Sequence, residues 1–128
     1  MQSLTVFTHR KKEIIDITDK IENLLPKNKD VSLGFLFIKH TTAALTTADL
    51  DPGTDLDMLD AFEAIIPKLH YRHQHNPAHV SDHIMASIIG ASVTMPVSNG
   101  KLVLGTWQRV VLVELDGPRK REIVISLI

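Results

Sequence analysis

The sequence predicts an α+β domain of largely antiparallel β-sheets with two or three helices. Three observations predict it. Segments rich in branched and aromatic residues, the mark of strands, open and close the chain: LTVFT near the start, and SVTMPV, KLVLGTWQRVVLVEL and KREIVISLI in the last third. Segments with apolar residues three and four apart, the mark of helices, lie in the middle, apart from one short stretch near the start. The final strands are joined by short turns, SNG and DGPR, which suit hairpins and argue against a doubly wound parallel sheet.

Each element follows from local chemistry. LTVFT (4–8) is the first strand, HRKK (9–12) a basic turn and EIIDIT (13–18) the second strand. Thr18 is placed to cap a short helix in which Ile21, Leu24 and Leu25 share a face and which Pro26 ends. Residues 31–49, VSLGFLFIKHTTAALTTAD, form a long strand. Phe35, Phe37, Thr41 and Ala43 lie on one face and Leu36, Ile38 and His40 on the other, with a bend or bulge expected near His40. DPGTD breaks it. Thr54 is the expected cap of the next helix, and Asp55 and Asp57 in its first turn meet the positive end of the macrodipole. Leu56, Leu59, Phe62, Ala64 and Ile66 form its core side, and Pro67 ends it. In the histidine-rich stretch HYRHQHNPAHVSDH (70–83), Asn76-Pro77 has the form of a helix start, with Ser81 as the alternative. Val80, Ile84 and Ile88 then make an apolar stripe that Gly90 terminates. Strands at 92–97, 101–115 and 120–128 follow, the last two expected to pair as a hairpin across Asp116-Gly117. Val110, Val111, Leu112 and Val113, and then Ile123, Val124 and Ile125, are apolar on both faces of their strands. Two or three helices cannot cover that much, so an oligomer is expected.

The 128 residues suit one domain spanning 1–128, and the 44% apolar content is enough to build its core. A net charge of −1 gives no global field to attract nucleic acid or an anionic membrane. Without cysteine there are no disulfides, thiolate metal sites or thiol nucleophiles. The opening MQSLTVFTHRKKEI lacks the order of a signal peptide and no apolar run is long enough to span a bilayer, so a cytoplasmic protein is expected. No nucleotide-binding glycine fingerprint, phosphate-binding GxxxxGK[ST] loop or GxSxG nucleophile elbow is present.

Seven histidines remain as carriers of chemistry, five of them within 70–83. His79 and His83, four apart on a helix, have the spacing of two zinc-bound imidazoles, and His73, His75 or His40 would complete such a set. His70 and His75 read as solvated loop residues; His79 fits either role. His40 ends an apolar strand among threonines, and carboxylates from Asp49 to Asp60 follow it, so a carboxylate can raise its pKa and fix its tautomer. Arg119, with Lys120 and Arg121, is either a fork for phosphate or carboxylate or a strand-edge charge. Trp107 can stack on a ligand or anchor a subunit contact. Glu114, alone in an apolar run, needs a His, an Arg or a metal as partner.

HTTAALTTADLDP, the DM after it, YRH, DHIMASIIG, MPV, GTWQ and ELDGPRKR occur in an order that resembles the YjbQ family over nearly the whole chain. The resemblance implies small α+β subunits assembled as homotrimers. It also implies a weak thiamine-phosphate synthase-like activity, joining a pyrimidine diphosphate to a thiazole phosphate with loss of pyrophosphate. A small phosphorylated substrate and a divalent metal, zinc or magnesium, come with it. Carried over residue by residue, it suggests His40, His83, Asp57 and Glu114 as catalytic groups. Arg119, Trp107, Gln108 and Thr41 would bind substrate, and His40, His73 and His83 would hold metal. TADLDP is one residue shorter than the family pattern, with Asp49 in the usual place of a Glu-Asn pair, and GTDLD replaces residues that are often basic. Two other readings stand beside this one: a hydrolase in which three histidines hold zinc and leave a position for water, and a trimeric binding protein for phospho-ligands or metal without catalysis.

Overall fold

The computed structural model describes residues 1–27, 30–72 and 79–128. The elements run β1 (Gln2–Phe7), β2 (Glu13–Asp16), α1 (Thr18–Glu22), β3 (Leu33–Ile38), β4 (Ala43–Ala48), α2 (Thr54–Ile65), α3 (Val80–Ile89), β5 (Ser92–Ser98), β6 (Lys101–Leu102), β7 (Arg109–Glu114) and β8 (Lys120–Leu127). They form a five-stranded sheet, β1-β8-β3-β5-β6, and a three-stranded sheet, β2-β7-β4. The neighbouring strands pair antiparallel, as expected of this α+β class.

The sheets stack face to face. Val6, Leu36, Ile38, Met95, Ile123 and Ile125 of the larger sheet pack on Ala43, Leu45, Val110 and Leu112 of the smaller one, with Ile17, Ile21 and Leu25 closing one side. The far face of the smaller sheet, Ala44, Val111 and Val113, packs on Met85 and Ala86 of α3. Strand β7 is therefore apolar on both faces because one face meets a sheet and the other a helix. Within the chain, a sheet does the covering that the helices alone could not.

Several expectations change. Residues 31–49 are two strands in different sheets, not one bent strand, and the break falls at residues 39–42 around His40. Residues 101–115 divide likewise into β6 and β7. The expected β7–β8 hairpin is absent: β7 lies between β2 and β4, and β8 between β1 and β3. Strands so apolar are each seated centrally, with neighbours on both sides, and the chain crosses between sheets at residues 115–119. Gly117 makes that crossing possible, since a Cβ there would lie 2.2 Å from the Arg10 carbonyl oxygen. The Gly117–Pro118 peptide is cis.

Neither expected threonine cap forms. Thr18 is fully buried, and its Oγ1 accepts the Val110 N–H at 2.8 Å, which ties α1 to β7. Before α2 the cap position is Gly53, at φ 93°, and not Thr54. Helix α2 buries none of its residues, contrary to its expected core side, although Phe62 and Ile66 touch the core beneath it. Helix α3 turns Asp82, Met85 and Ala86 inward and leaves Ile88 62% exposed, so its buried face is rotated from the predicted stripe. The Asn76-Pro77 start lies outside the described residues.

Candidate functional site

The site forms at the end of the two sheets where β3 stops and β8 begins. Its base is a buried ion pair. Glu114 ends β7 with no exposed surface and Arg121, on the inward face of β8, is 2% exposed. Arg121 donates through Nε to Glu114 Oε1 at 2.9 Å and through Nη2 to Oε2. Oε1 also accepts from the Thr8 hydroxyl at 2.7 Å, and Oε2 from the Asp116 N–H at 3.1 Å. Arg121 Nη2 further donates to Thr42 Oγ1 at 2.9 Å. Burial pushes the Glu114 carboxyl up, but the hydrogen bonds from Arg121, Thr8 and Asp116 outweigh it and hold the group below the ordinary carboxylate value. The pair joins the two sheets and fixes the turn that carries His40 and Thr41.

His40 follows the last β3–β8 pair, Ile38 with Ile123. Its Nε2 accepts the next β8 donor, the Glu122 N–H, at 3.0 Å, so the ring takes the place of a strand partner. Burial and the Arg121 charge hold its pKa below 6.5, so the ring is neutral at pH 7. A neutral imidazole with Nε2 accepting carries its one proton on Nδ1. His40 is therefore a fixed N–H donor.

A second ionic chain borders this base. Asp116 accepts from Arg119 Nη2 at 3.0 Å and from Lys11 Nζ at 2.5 Å. Lys11 also donates to Asp82 at 2.9 Å, and Lys12 donates to the other oxygen of Asp82 at the same distance. Burial pushes the Asp116 carboxyl up, but Lys11 and Arg119 hold it below its ordinary value. Arg119 Nε donates to the Asp116 carbonyl, so its guanidinium is oriented while half its side chain stays exposed.

These groups surround an open cavity of about 710 Å³ lined by His40, Thr41, His79, His83, Arg119 and their neighbours. Lys39, Arg119, Lys120 and Arg121 line it against one carboxylate, Asp116. Arg121 is neutralised by Glu114, whereas Lys39, Arg119 and Lys120 are exposed on the rim, Lys39 lying 3.6 Å from Glu122 and Arg119 3.0 Å from Asp116. His79 and His83 arrive one helical turn apart at the start of α3, and His79 Nδ1 is 3.9 Å from Asp116. Such a cavity suits an anion.

Of the residues singled out in the sequence, His40, Thr41, His83 and Arg119 come together here, with His79 beside them. Glu114 lies behind the cavity and acts on it through Arg121. Trp107, 72% exposed, and Gln108, whose amide reaches Thr47 Oγ1 at 3.1 Å, sit in the β6–β7 connection and line no part of it. Asp57 is exposed on α2 and also lines no part of it. His73 lies outside the described residues. For Arg121 the sequence left a phosphate or carboxylate fork and a strand-edge charge open; its alternation with Ile123 and Ile125 puts it on the inward face, where its carboxylate partner is Glu114. Sequence reading missed Asp116, Lys11 and Asp82, whose partners are distant in sequence.

The metal set His40, His73 and His83 meets a chemical obstacle at His40. Its Nε2 lone pair is used by Glu122 and its Nδ1 carries the proton, so this tautomer has no lone pair to give a metal. Among the described residues no group of three His, Asp or Glu side chains is placed to hold a metal ion.

The family model described as UPF0047 protein YjbQ-like matches residues 2–128. A UPF0047 protein of Archaeoglobus fulgidus is 37% identical over 124 residues, covering 96% of this chain and 97% of that protein. YugU of Bacillus subtilis is 35% identical, covering 99% of this chain and 98% of its own. Among solved structures, a conserved hypothetical protein of Thermus thermophilus superposes with a TM-score of 0.90 at 31% identity, covering all of both chains. A YbjQ-like protein of unknown function from Sulfolobus solfataricus gives 0.88 at 34%, covering 98% of this chain and 94% of that one. With sequence likeness along its whole length and the same fold in solved relatives, this chain belongs to the YjbQ (UPF0047) family.

Proposed function

We propose that the cavity binds phosphate groups of a small substrate and that the chain is a transferase of the thiamine-phosphate synthase kind. The observation that carries this reading is the pairing of a neutral His40 donor with the Arg119 and Lys120 cations around one cavity. A diphosphate there finds charge on its non-bridging oxygens and an N–H from a fixed ring. Both are stronger for a departing pyrophosphate than for the bound ester, because negative charge grows on the leaving oxygen as the C–O bond breaks. The thiazole nitrogen then takes the pyrimidine-bearing carbon, forming the C–N bond. His83, which lines the same cavity, would serve as an acid–base group. Magnesium would enter with the diphosphate and share its charge.

We also propose that copies of the chain assemble as a homotrimer. Phe35 and Phe37, 36% and 43% exposed on the outer face of the five-stranded sheet, support assembly, since monomers rarely leave such faces bare. Trp107, Gln108 and Asp57 would then reach a cavity only from a neighbouring copy.

A turnover assay with the pyrimidine diphosphate and thiazole phosphate tests the activity. Product above a no-protein control, lost in Arg119→Met, supports it; no product at high protein concentration rejects it. Sedimentation equilibrium tests the trimer, which a monomeric mass would rule out.

A further inference from the structure

A second cavity of about 620 Å³ lies behind the first, between α2, α3 and the β1–β2 turn. Its walls differ in kind from those of the first. Leu59 and Phe62 of α2, Ile66, Leu69 and Tyr71 of the following segment, and Met85 and Leu115 make it largely apolar. Helix α2, which buries no residue, turns Leu59 and Phe62 to this space, while Leu56 and Ile65 stay exposed away from it.

The two cavities are neighbours. His79 lines both, and its side chain is 40% exposed. Lys11 lines the second and pairs at 2.5 Å with Asp116, which lines the first. The Asp82 carboxylate on the second cavity is met by Lys11 and Lys12, and Glu63 and Lys68 add one charge of each sign to its wall.

We propose that the second cavity is a ring subsite: it takes the flat apolar part of a ligand whose anionic part is held by Arg119 and His40 across His79. The ligand class is an aryl or heteroaryl phosphoester. Charge complementarity selects this occupant, since the cationic cavity takes the ester's anion and the apolar one has room for an aromatic ring. Pocket occupancy by a ring contributes through apolar area removed from water, in proportion to ring size. The inference rests on the anion reading of the first cavity.

Calorimetric titration of the full chain with inorganic phosphate and with 1-naphthyl phosphate tests it. The expected result is naphthyl phosphate binding at least ten-fold tighter than phosphate. Leu59→Asp and, separately, Leu69→Asp should remove that advantage and leave phosphate binding unchanged. Leu69 is 63% exposed, so its variant keeps the fold even if the other does not. Equal binding of the two probes by the unaltered chain overturns the ring subsite and leaves the anion site standing. So does a naphthyl advantage that both variants retain. Binding of neither probe overturns the anion reading, and the ring subsite with it.

Discussion

Replacing Glu114 by Gln tests the base of the site directly. The carboxylate accepts four hydrogen bonds, two at each oxygen, which uses its full capacity. Gln keeps the shape but offers one carbonyl oxygen and one NH2. With the oxygen toward Arg121 Nε and Thr8, the NH2 points at two donors, Arg121 Nη2 and the Asp116 N–H. Two opposed bonds, at about 1.5–3 kcal/mol each where charge is involved, predict a loss of about 3–6 kcal/mol. That agrees with the about 3–5 kcal/mol typical of a buried pair that loses one partner. Urea denaturation at one fixed protein concentration, read by linear extrapolation, measures it. Glu114→Leu combined with Arg121→Met should cost less than Glu114→Gln alone, because no buried charge is left unpaired. A Glu114→Gln loss under about 1 kcal/mol, the worth of an exposed pair, would refute the reasoning.

Three further outcomes follow from the same geometry. Gly117→Ala places a Cβ 2.2 Å from the Arg10 carbonyl oxygen and 2.9 Å from Glu114 Cγ, both in tightly held positions. Its cost should reach or exceed the upper end of the about 1–3 kcal/mol usual for overpacking, and thermal melting checks it. The folded pKa of His40 lies below the unfolded 6.5, so as pH falls through 6.5 the unfolded chain takes up a proton that the native ring resists. Stability should fall from pH 7 towards pH 5, and His40→Gln, whose amide oxygen can accept the Glu122 N–H, should flatten that slope in urea titrations; an unchanged slope contradicts the assignment. Because its tautomer leaves no lone pair, His40→Gln should also leave the zinc content of the purified protein unchanged, and elemental analysis reads this.

The parts of this chain that follow local rules were legible in the sequence. The strand alternation of 33–38, 92–98 and 120–127 and the Gly90 stop depend on near neighbours, as does the expected irregularity near His40, though not its outcome as a change of sheet. The parts that were not legible depend on what each strand meets. Nothing local distinguishes a hairpin at Asp116-Gly117 from a crossing between sheets. The distinction comes from β7 needing β2 and β4 at its sides while β8 needs β1 and β3. Thr18 illustrates the same limit: a residue with every mark of a helix cap is turned to hold β7. For the site, residue type singled out His40, His83 and Arg119, whereas the Lys11–Asp82 and Lys11–Asp116 contacts span 71 and 105 positions and have no sequence signal. Glu114 was recognised as needing a partner, and three-dimensional packing chose Arg121.

The claim that organises the site is that Arg119 and a neutral His40 hold an anionic phosphate group. Calorimetric titration of inorganic pyrophosphate into the unaltered chain, Arg119→Met and His40→Ala tests it most directly. A charge-assisted guanidinium contact worth about 1.5–3 kcal/mol predicts roughly ten- to hundred-fold weaker binding in Arg119→Met, and a smaller loss in His40→Ala. Pyrophosphate affinity that is the same in all three proteins would contradict the account.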